Sequence, residues 1–356
     1  MEQKSFFENL TEAKNTVIFG DAVNGLKLLE SESVDTCITS PPYYNLRDYG
    51  KEGQIGQENT PEEYIENLVC VFREVRRILK KDGTLWINIG DSYAGSGKGA
   101  SNYPENAKKY KQGTNRGSVG GYLKKSNPAG CKPKDLIGIP WMLAFALRAD
   151  GWYLRQDIIW AKPNPMPESV KDRCTKSHEY IFLLSKSPRY YFDGEAIAES
   201  CADSSLKRYS QNIEQQTGSV RVPGKNNGNM KAVLPRYGGK KYTEYPDAFY
   251  RTKSGHAYDY RPKRNKRDVW LVSTKPFKGA HFATFPDTLI TPCILAGSRA
   301  GGVVLDPFCG SGTTLMVAKK CGRNGIGIEL NDNYEQLIQE RIGENTRVSA
   351  ERRSDT

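Results

Sequence analysis

Several features that define large protein classes are missing from this chain. No apolar run approaches the length needed to cross a membrane, and the N-terminus, Met1-Glu2-Gln3-Lys4, lacks the basic-then-apolar form of a signal peptide. The eight cysteines are scattered and include no Cys-x-x-Cys pair, which argues against both a zinc site and a secreted disulfide framework. We therefore expect a soluble, cytoplasmic protein with reduced cysteines and no bound metal.

Acidic residues are scarce in one region of the chain. Between Arg221 and Lys278 there are fifteen Lys and Arg residues but only four Asp and Glu residues. This surplus equals the net charge of the whole chain, which is +11. A positive charge concentrated in this way favours a polyanionic partner over small acidic metabolites.

The stretch from Thr39 to Tyr43 combines the end of a strand with a stiff polar loop. Val34 to Ile38 reads as a short buried strand, and Pro41-Pro42 must end it because proline cannot donate to a sheet. A flat ring with an amino group, such as a nucleobase, could stack on Tyr43 and donate to Ser40 and to a proline carbonyl. The alternative is a plain turn after a strand.

A nucleotide-type βαβ unit is predicted near the C-terminus. Val303 to Asp306 is a strand, a Gly-x-Gly turn follows at Gly310 and Gly312, and a helix and a second strand ending at Glu329 come next. In such units the terminal acid accepts from ribose hydroxyls. The turn is not a phosphate loop, because no Gly-Lys-Ser/Thr follows and the dinucleotide spacing is absent.

These two loops together resemble those of the amino-group DNA methyltransferases, which use S-adenosylmethionine. In that family an (Asp/Asn/Ser)-Pro-Pro-(Tyr/Phe/Trp) loop meets a Phe-x-Gly-x-Gly loop. The corresponding stretches here are Ser40-Pro41-Pro42-Tyr43 and Phe308-Cys309-Gly310-Ser311-Gly312. The catalytic loop comes first in the chain, which resembles the beta class, and the likeness covers roughly residues 16 to 193 and 268 to 342.

The resemblance implies a fold and a domain order. The expected fold is a Rossmann-like α/β domain, a class I methyltransferase with permuted motifs, whose mostly parallel sheet contains one reversed hairpin strand. Residues 1–193 would form the catalytic half with a mobile basic loop at 94–134, and 194–267 the target-recognition region. Residues 268–345 would form the cofactor-binding half, and 346–356 a frayed tail.

The resemblance also assigns the residues of the site. Asp21 resembles an acid that accepts from the adenine amino group of the cofactor, although it also suits the N-cap of the next helix. Phe282 and Thr284 would cover the methionine end of the cofactor, with simple core packing as the alternative. The predicted catalytic residues are Ser40, Pro41, Pro42 and Tyr43, and the predicted cofactor-binding residues are Asp21, Phe282, Thr284, Asp306, Phe308, Gly310, Gly312 and Glu329.

Double-stranded DNA is the expected partner. Region 194–267 interleaves basic residues with aromatic ones, which suits phosphate contacts and base stacking, although a charged linker is the competing interpretation. Lys162 and Asn164 either line the target-base pocket or belong to a purely structural proline-rich connector. The aromatic residues are Tyr237, Tyr242, Tyr245, Phe249, Tyr250, Tyr258 and Tyr260, and the predicted DNA-binding residues are Arg261, Lys263, Arg264, Lys266 and Arg267.

The expected reaction is methylation of an exocyclic base amine in a flipped nucleotide. Ser at the first position of the catalytic loop is more common in family members that act on cytosine N4, and unlike Asp it does not repel the neighbouring ring acceptor. Cytosine N4 is therefore favoured over adenine N6.

An RNA methyltransferase and an inactive DNA-binding protein remain open. Methylation of the cytosine ring carbon would need a nucleophilic thiolate, usually in a Pro-Cys loop. Pro292-Cys293 matches this pair by letter only, because it sits inside a predicted apolar helix, and this reaction is therefore disfavoured. A restriction endonuclease for the same site is a candidate partner, and the oligomeric state is open.

Overall fold

The computed structural model describes residues 15–46, 50–95, 127–128, 130–202, 204, 249–251, 257–259, 263–274, 285–343 and 346–349. The chain divides into two compact units. Unit one consists of Met1–Asp193 together with Arg267–Thr356, and unit two consists of Gly194–Lys266. Most of the basic loop predicted at 94–134 lies outside the described residues.

Unit one is built on a nine-stranded sheet among the described residues. Its strands are β1 (Asn15–Phe19), β2 (Val34–Thr39), β3 (Leu79–Ile89), β4 (Tyr153–Ala161), β5 (His178–Ser185), β10 (Val269–Leu271), β11 (Val303–Asp306), β12 (Asn324–Glu329) and β13 (Thr346–Ser349). The strands lie in the order β10-β4-β5-β3-β2-β11-β12-β1-β13. Strands β1 and β2 follow each other in the chain but are separated in the sheet by β11 and β12.

One strand of this sheet is reversed. Strand β5 pairs antiparallel with both β3 and β4, whereas the other recorded pairings in the sheet are parallel. This confirms the predicted mostly parallel sheet with a reversed hairpin strand. The carboxyl ends of β1, β2, β3, β4, β11 and β12 therefore share one edge with the amino end of β5, and that edge is where ligands bind in open α/β sheets.

Helices in unit one connect and cover the strands. Their bounds are α1 (Ala22–Lys27), α2 (Pro61–Ile78), α3 (Ile139–Ala149), α4 (Asp287–Gly297), α5 (Thr313–Lys320) and α6 (Glu335–Ile342). Helix α2 begins with a capping box, because Thr60 accepts from the Glu63 amide while Glu63 reaches back to the Thr60 amide. No helix within the described residues is long and apolar enough to cross a membrane.

Helix α3 begins later than its sequence pattern predicts. The pattern favours a helix from Pro133, but the first helical residue is Ile139. Gly138 adopts a left-handed conformation with φ of 88°, which is incompatible with a helix interior. The Asp91 carboxylate accepts from the backbone amides of Gly138 and Ile139 and so caps the start of the helix at this point.

The C-terminal segment is also more ordered than predicted. The sequence predicts a frayed tail at 346–356, yet Thr346–Ser349 form β13, which pairs parallel with β1. Without β13 the outer edge of β1 would present a row of backbone donors and acceptors without partners in the sheet.

Unit two contains two small antiparallel pairs within its described residues. Strand β6 (Glu199–Ser200) pairs with β9 (Lys263–Arg264), and β7 (Phe249–Arg251) pairs with β8 (Ala257–Asp259). These strands include Phe249, Tyr250 and Tyr258. The other four aromatic residues predicted to interleave with charges here lie outside the described residues.

Candidate active site

A cavity of about 490 Å³ opens at the carboxyl edge of the sheet in unit one. This volume lies within the range of small-molecule and cofactor sites. Both of the loops singled out in the sequence line it, although they are far apart in the chain. The lining residues include Gly20, Asp21, Ser40, Pro41, Pro42, Tyr43, Lys51, Asn88, Trp160, Lys162, Glu179, Pro307, Phe308, Gly310, Ile328, Glu329, Leu330 and Asn331.

The loop Ser40 to Tyr43 is held by contacts to α2. The Tyr64 hydroxyl donates to the Pro42 carbonyl across 2.7 Å. Tyr64 is fully buried, and its ring lies 5.5 Å from the ring of Tyr44. This hydrogen bond fixes the Pro42 carbonyl, and with it the loop, against α2.

Tyr43 reaches across the edge of the sheet to the reversed strand. Its hydroxyl donates to Glu179 Oε2 at 2.5 Å, and the Asn88 amide donates to the same oxygen at 3.2 Å. The ring packs against Gly90, where an added Cβ would lie 2.8 Å from a Tyr43 ring carbon. Gly90 therefore provides the space that the Tyr43 ring occupies.

Electrostatics keep the Tyr43 hydroxyl protonated. Burial, followed by the charge of Glu179 and the hydrogen bond to it, raises the pKa of Tyr43 well above its ordinary value. The Ser40 side chain acts in the opposite direction and lowers the Tyr43 pKa through a hydrogen bond. Tyr43 is thus held through its hydroxyl, with Glu179 as its acceptor.

Lys162 occupies the same end of the cavity. It forms an ion pair with Glu179, and its ammonium lies 4.3 Å from the centre of the Trp160 ring. Only 18% of the Lys162 side chain and 15% of the Glu179 side chain are exposed. Asn164, the other residue proposed for this pocket, instead exchanges hydrogen bonds with Thr274 and does not line the cavity.

The glycine-rich loop after β11 wraps around the carboxylate of Glu329. Gly310 donates to Glu329 Oε2 and Asn331 donates to Oε1, each at 2.8 Å. Gly310 and Gly312 have φ values of 52° and 76°, which residues with a side chain rarely adopt. The two glycines thus allow the sharp turn that brings the Gly310 amide onto the acid.

Burial strongly affects two acids near this loop. It raises the pKa of Glu329 to about 7, although backbone donors from Asn331 and Gly310 act in the opposite direction. It raises the pKa of Asp306 to about 6, against the hydrogen bonds from Thr314, Thr39 and Phe308. Both carboxylates are ionised only at a cost that the surrounding donors do not fully offset.

Asp21 combines the two roles that the sequence left open. Its side chain accepts from the Asn24 amide at 3.1 Å and thereby caps α1. It also lines the cavity beside Gly20, at the end of β1. The cap and a ligand contact are compatible because one carboxylate offers about four acceptor sites.

Four other predicted cofactor residues do not line the cavity or lie outside the described residues. Asp306 is 2% exposed and does not line the cavity; its side chain accepts from Thr39 and Thr314. Gly312 likewise supports the loop without lining the cavity. Phe282 and Thr284 lie outside the described residues.

Three of the predicted DNA-binding residues lie close to acidic side chains. Within unit two, Lys263 lies 4.0 Å from Glu195, while Arg264 and Lys266 lie 3.4 Å and 3.2 Å from Glu199. Arg267 belongs to unit one, and its carbonyl accepts from the Trp270 indole. Arg261 lies outside the described residues.

Sequence reasoning missed several residues of the cavity. Glu179 and Asn88 each hold Tyr43, and Lys51, which also lines the cavity, forms a 2.6 Å ion pair with Asp332. The available signal was Glu179 itself, an acid near the start of an otherwise apolar strand. No cluster of three or more potential metal ligands occurs among the residues that the structure describes.

Comparisons of the sequence with known proteins match this chain to DNA methylases. A family model for DNA methylases, N6_N4_Mtase, matches residues 34–340. The Type II methyltransferase M.SmaI of Serratia marcescens is 45% identical over 334 residues, covering 94% of this chain and 92% of the relative. M.Cfr9I of Citrobacter freundii is 43% identical, with 94% and 89% of the two chains covered.

Solved structures share the fold at low sequence identity. The PvuII cytosine-N4-specific DNA methyltransferase superposes with a TM-score of 0.53 at 16% identity, covering 94% of this chain and 97% of the other. A Thermus thermophilus protein crystallised with S-adenosyl-L-methionine gives a TM-score of 0.53 at 21% identity, covering 94% and 98%.

Proposed function

Because the chain belongs to the N6/N4 family of DNA methylases, whose cofactor is S-adenosylmethionine, we propose that it methylates N4 of a flipped cytosine within a specific DNA site. The coarser activity, S-adenosylmethionine-dependent DNA methylation, follows from family membership. The observation that supports this proposal is that Ser40, Tyr43, Phe308 and Glu329 line one and the same cavity.

The residues present fit S-adenosylmethionine. Both Glu329 oxygens accept from backbone amides but retain acceptor capacity for two ribose hydroxyls. Pro307, Phe308, Ile328 and Leu330 provide apolar surface beside this acid, as a purine ring requires. Asp21 lines the same cavity just after the neighbouring strand β1, and it would accept from the adenine amino group.

The chain's own residues then have to prepare the base amine. The bound cofactor supplies a methyl group that is already activated by the positive sulfur. An exocyclic amine is a poor nucleophile, because its lone pair is delocalised into the ring. Ser40 and the Pro41 carbonyl would accept the two amine hydrogens and draw the nitrogen towards tetrahedral geometry. Tyr43 would hold the ring by stacking.

The base assignment rests on Ser40. Cytosine N3 is an acceptor beside the amine, and a carboxylate at position 40 would repel it, whereas a hydroxyl is neutral. The Ser40 hydroxyl can accept from the amine and can also donate to the neighbouring ring nitrogen, which a carboxylate cannot do. This favours cytosine N4, while adenine N6 is the second candidate because adenine N1 is likewise an acceptor.

Two other reactions receive less support. Methylation of the cytosine ring carbon would require a thiolate at the base, but Cys293 is buried in α4, donates to the Leu289 carbonyl and does not line the cavity. Methylation of RNA would use the same pocket chemistry. It is opposed by the family model, which describes DNA methylases.

Nucleoside analysis tests the proposal. DNA and structured RNA are each incubated with the protein and with S-adenosylmethionine that carries a deuterated methyl group, then digested and resolved by mass spectrometry. Labelled N4-methylcytosine in DNA is the expected product. Labelled N6-methyladenine would overturn the base assignment alone, and label confined to RNA would overturn the DNA substrate.

A further inference from the structure

The acid Glu179 connects three polar side chains at one end of the cavity. It accepts from the Tyr43 hydroxyl, from the Asn88 amide and from the Lys162 ammonium. A carboxylate offers about four acceptor sites, and three are used by these contacts. Glu179 is therefore well suited to orient its neighbours.

The hairpin explains how Lys162 and Glu179 come together. Trp160 lies directly opposite Glu179 in the β4–β5 pairing, and the Lys162 amide donates to the Ser177 carbonyl across 2.7 Å. Residues two apart on a strand project from the same face, so Trp160, Lys162 and Glu179 share one face. The opposite strand has Gly90 beside Glu179, with an ideal Cβ 3.5 Å from the Glu179 carboxyl carbon.

Lys162 has donors to spare after its ion pair. An ammonium carries three donors, of which Glu179 takes one. The side chain lines the cavity together with Ser40 and Tyr43, and Trp160 supports the ammonium from the side. A base whose amine faces Ser40 presents a ring nitrogen acceptor next to that amine, inside the same cavity that Lys162 lines.

We propose that Lys162 donates a hydrogen bond to the ring nitrogen beside the target amine, and that Glu179 is the positioning residue that holds Lys162 and Tyr43 for this contact. The inference rests on the proposed function, since it names the cytosine N3 atom as the acceptor. Lys162 then selects bases with an acceptor beside the amine. Glu179 fixes the two side chains without touching the reacting atoms.

A substrate lacking that acceptor provides the test. Duplexes are prepared with cytosine or with 3-deazacytosine at the target position, and single-turnover methylation rates are measured for the parent protein and for Lys162→Met, Glu179→Gln and Lys320→Gln. A hydrogen bond from a charged donor corresponds to roughly a 10- to 100-fold change in rate. The parent should therefore methylate cytosine roughly 10- to 100-fold faster than 3-deazacytosine.

The variants separate the roles. Lys162→Met should be slow on cytosine and should show nearly equal rates on the two bases. Glu179→Gln should reduce the ratio as well, because the amide oxygen can still accept from Tyr43 while the charge that holds Lys162 is gone. Lys320→Gln is the control, since Lys320 is exposed at the end of α5 and does not line the cavity; its ratio should equal that of the parent.

Each outcome supports or overturns the inference. A full parental ratio in Lys162→Met would exclude the lysine contact, and a full ratio in Glu179→Gln would exclude its positioning role. Calorimetry with S-adenosylmethionine confirms that each variant retains a folded cofactor site. If nucleoside analysis identifies adenine as the target, the proposed function fails separately, and 1-deazaadenine takes the place of 3-deazacytosine in the same comparison.

Discussion

The Thr39 hydroxyl donates to Asp306 Oδ1 across 2.6 Å, although 267 residues separate the two in the chain. Thr39 is the last residue of β2 and Asp306 the last of β11, and these strands are neighbours in the sheet. Asp306 also accepts from Thr314 at 2.6 Å and from the Phe308 amide at 3.1 Å. One buried carboxylate thus fixes the start of the catalytic loop relative to the glycine-rich loop.

Removal of this clamp should destabilise the protein. Asp306→Ala leaves the buried hydroxyls of Thr39 and Thr314 without their acceptor, and we expect a loss of about 3 kcal/mol in the free energy of unfolding. Thr39→Val removes one partner only and should cost about 1 kcal/mol. Urea denaturation monitored by fluorescence measures both, and equal stability of Asp306→Ala and the parent would show that the contacts do not stabilise the fold.

Stability of the cofactor-free protein should fall as the pH rises from about 4.5 to 7. The ordinary pKa of Glu329 is 4.5, and burial raises it to about 7 in the folded chain. Within this window the folded state holds a proton that the unfolded state has lost, so raising the pH favours unfolding. The full difference corresponds to roughly 3 kcal/mol.

Glu329→Gln provides the control for that pH dependence. The substituted amide does not titrate, so its unfolding free energy should change less with pH between 4.5 and 7 than that of the parent. Asp306, whose pKa is raised to about 6, acts in the same direction and should leave a residual slope. Denaturant titrations at several pH values measure both slopes. Parallel slopes for the two proteins would assign the pH dependence to other groups.

Cofactor affinity should depend on pH through the same acid. If ribose hydroxyls donate to Glu329, the ionised form binds better, and binding of S-adenosylmethionine should weaken as the pH falls below about 7. The loss approaches tenfold for each pH unit further down. Calorimetry between pH 5.5 and 8.5 checks this. Glu329→Gln should bind weakly at every pH, and strong binding by this variant would remove Glu329 from the cofactor site.

Gly90→Ala should displace the Tyr43 ring. The added methyl would lie 2.8 Å from a ring carbon, so either the ring or β3 must move. We expect a loss of about 1 to 3 kcal/mol in stability and a fall in methylation rate at unchanged cofactor affinity. In a Tyr43→Ala background the same substitution should cost little, because the ring is absent. An equal cost in both backgrounds would place the clash elsewhere.

Basic residues of unit two should set the salt dependence of DNA binding. We expect combined neutralisation of Arg261, Lys263 and Arg264 to lower the affinity and to flatten the slope of log affinity against log salt, by about one unit for each lost phosphate contact. Lys320→Gln is the control, since Lys320 is exposed at the end of α5 away from the carboxyl edge of the sheet. Fluorescence anisotropy gives the slopes. A triple variant with the parental slope would identify the region as a linker.

The fold was predictable because its signals are local. The strand before Ser40, the glycine turn at Gly310 and the acid at Glu329 each follow from composition and spacing within a few residues. The reversed strand β5 came from family resemblance, since an apolar run does not indicate its direction. The start of α3 was misplaced because the deciding donor–acceptor contact comes from Asp91, far back in the chain.

The roles of Glu179 and Asn88 in the cavity were beyond the sequence. Glu179 is one acid in a strand, and its contact with Tyr43 spans 136 residues. Such a contact depends on strand order and register, which single-chain patterns leave undetermined. Asp306 was assigned to the cofactor from the family resemblance, whereas in the structure its carboxylate accepts from Thr39 and Thr314 and does not line the cavity.

The interleaved strand order has a consequence for folding during synthesis. Strand β1 is made first, yet its inner neighbour is β12, and β2 borders the gap that β11 fills. A ribosome-bound chain that has not reached Val303 therefore lacks the two strands that join its N-terminal parts into one sheet. The methylation pocket can close only after most of the chain has been translated, and contacts of such long range make this last step slow.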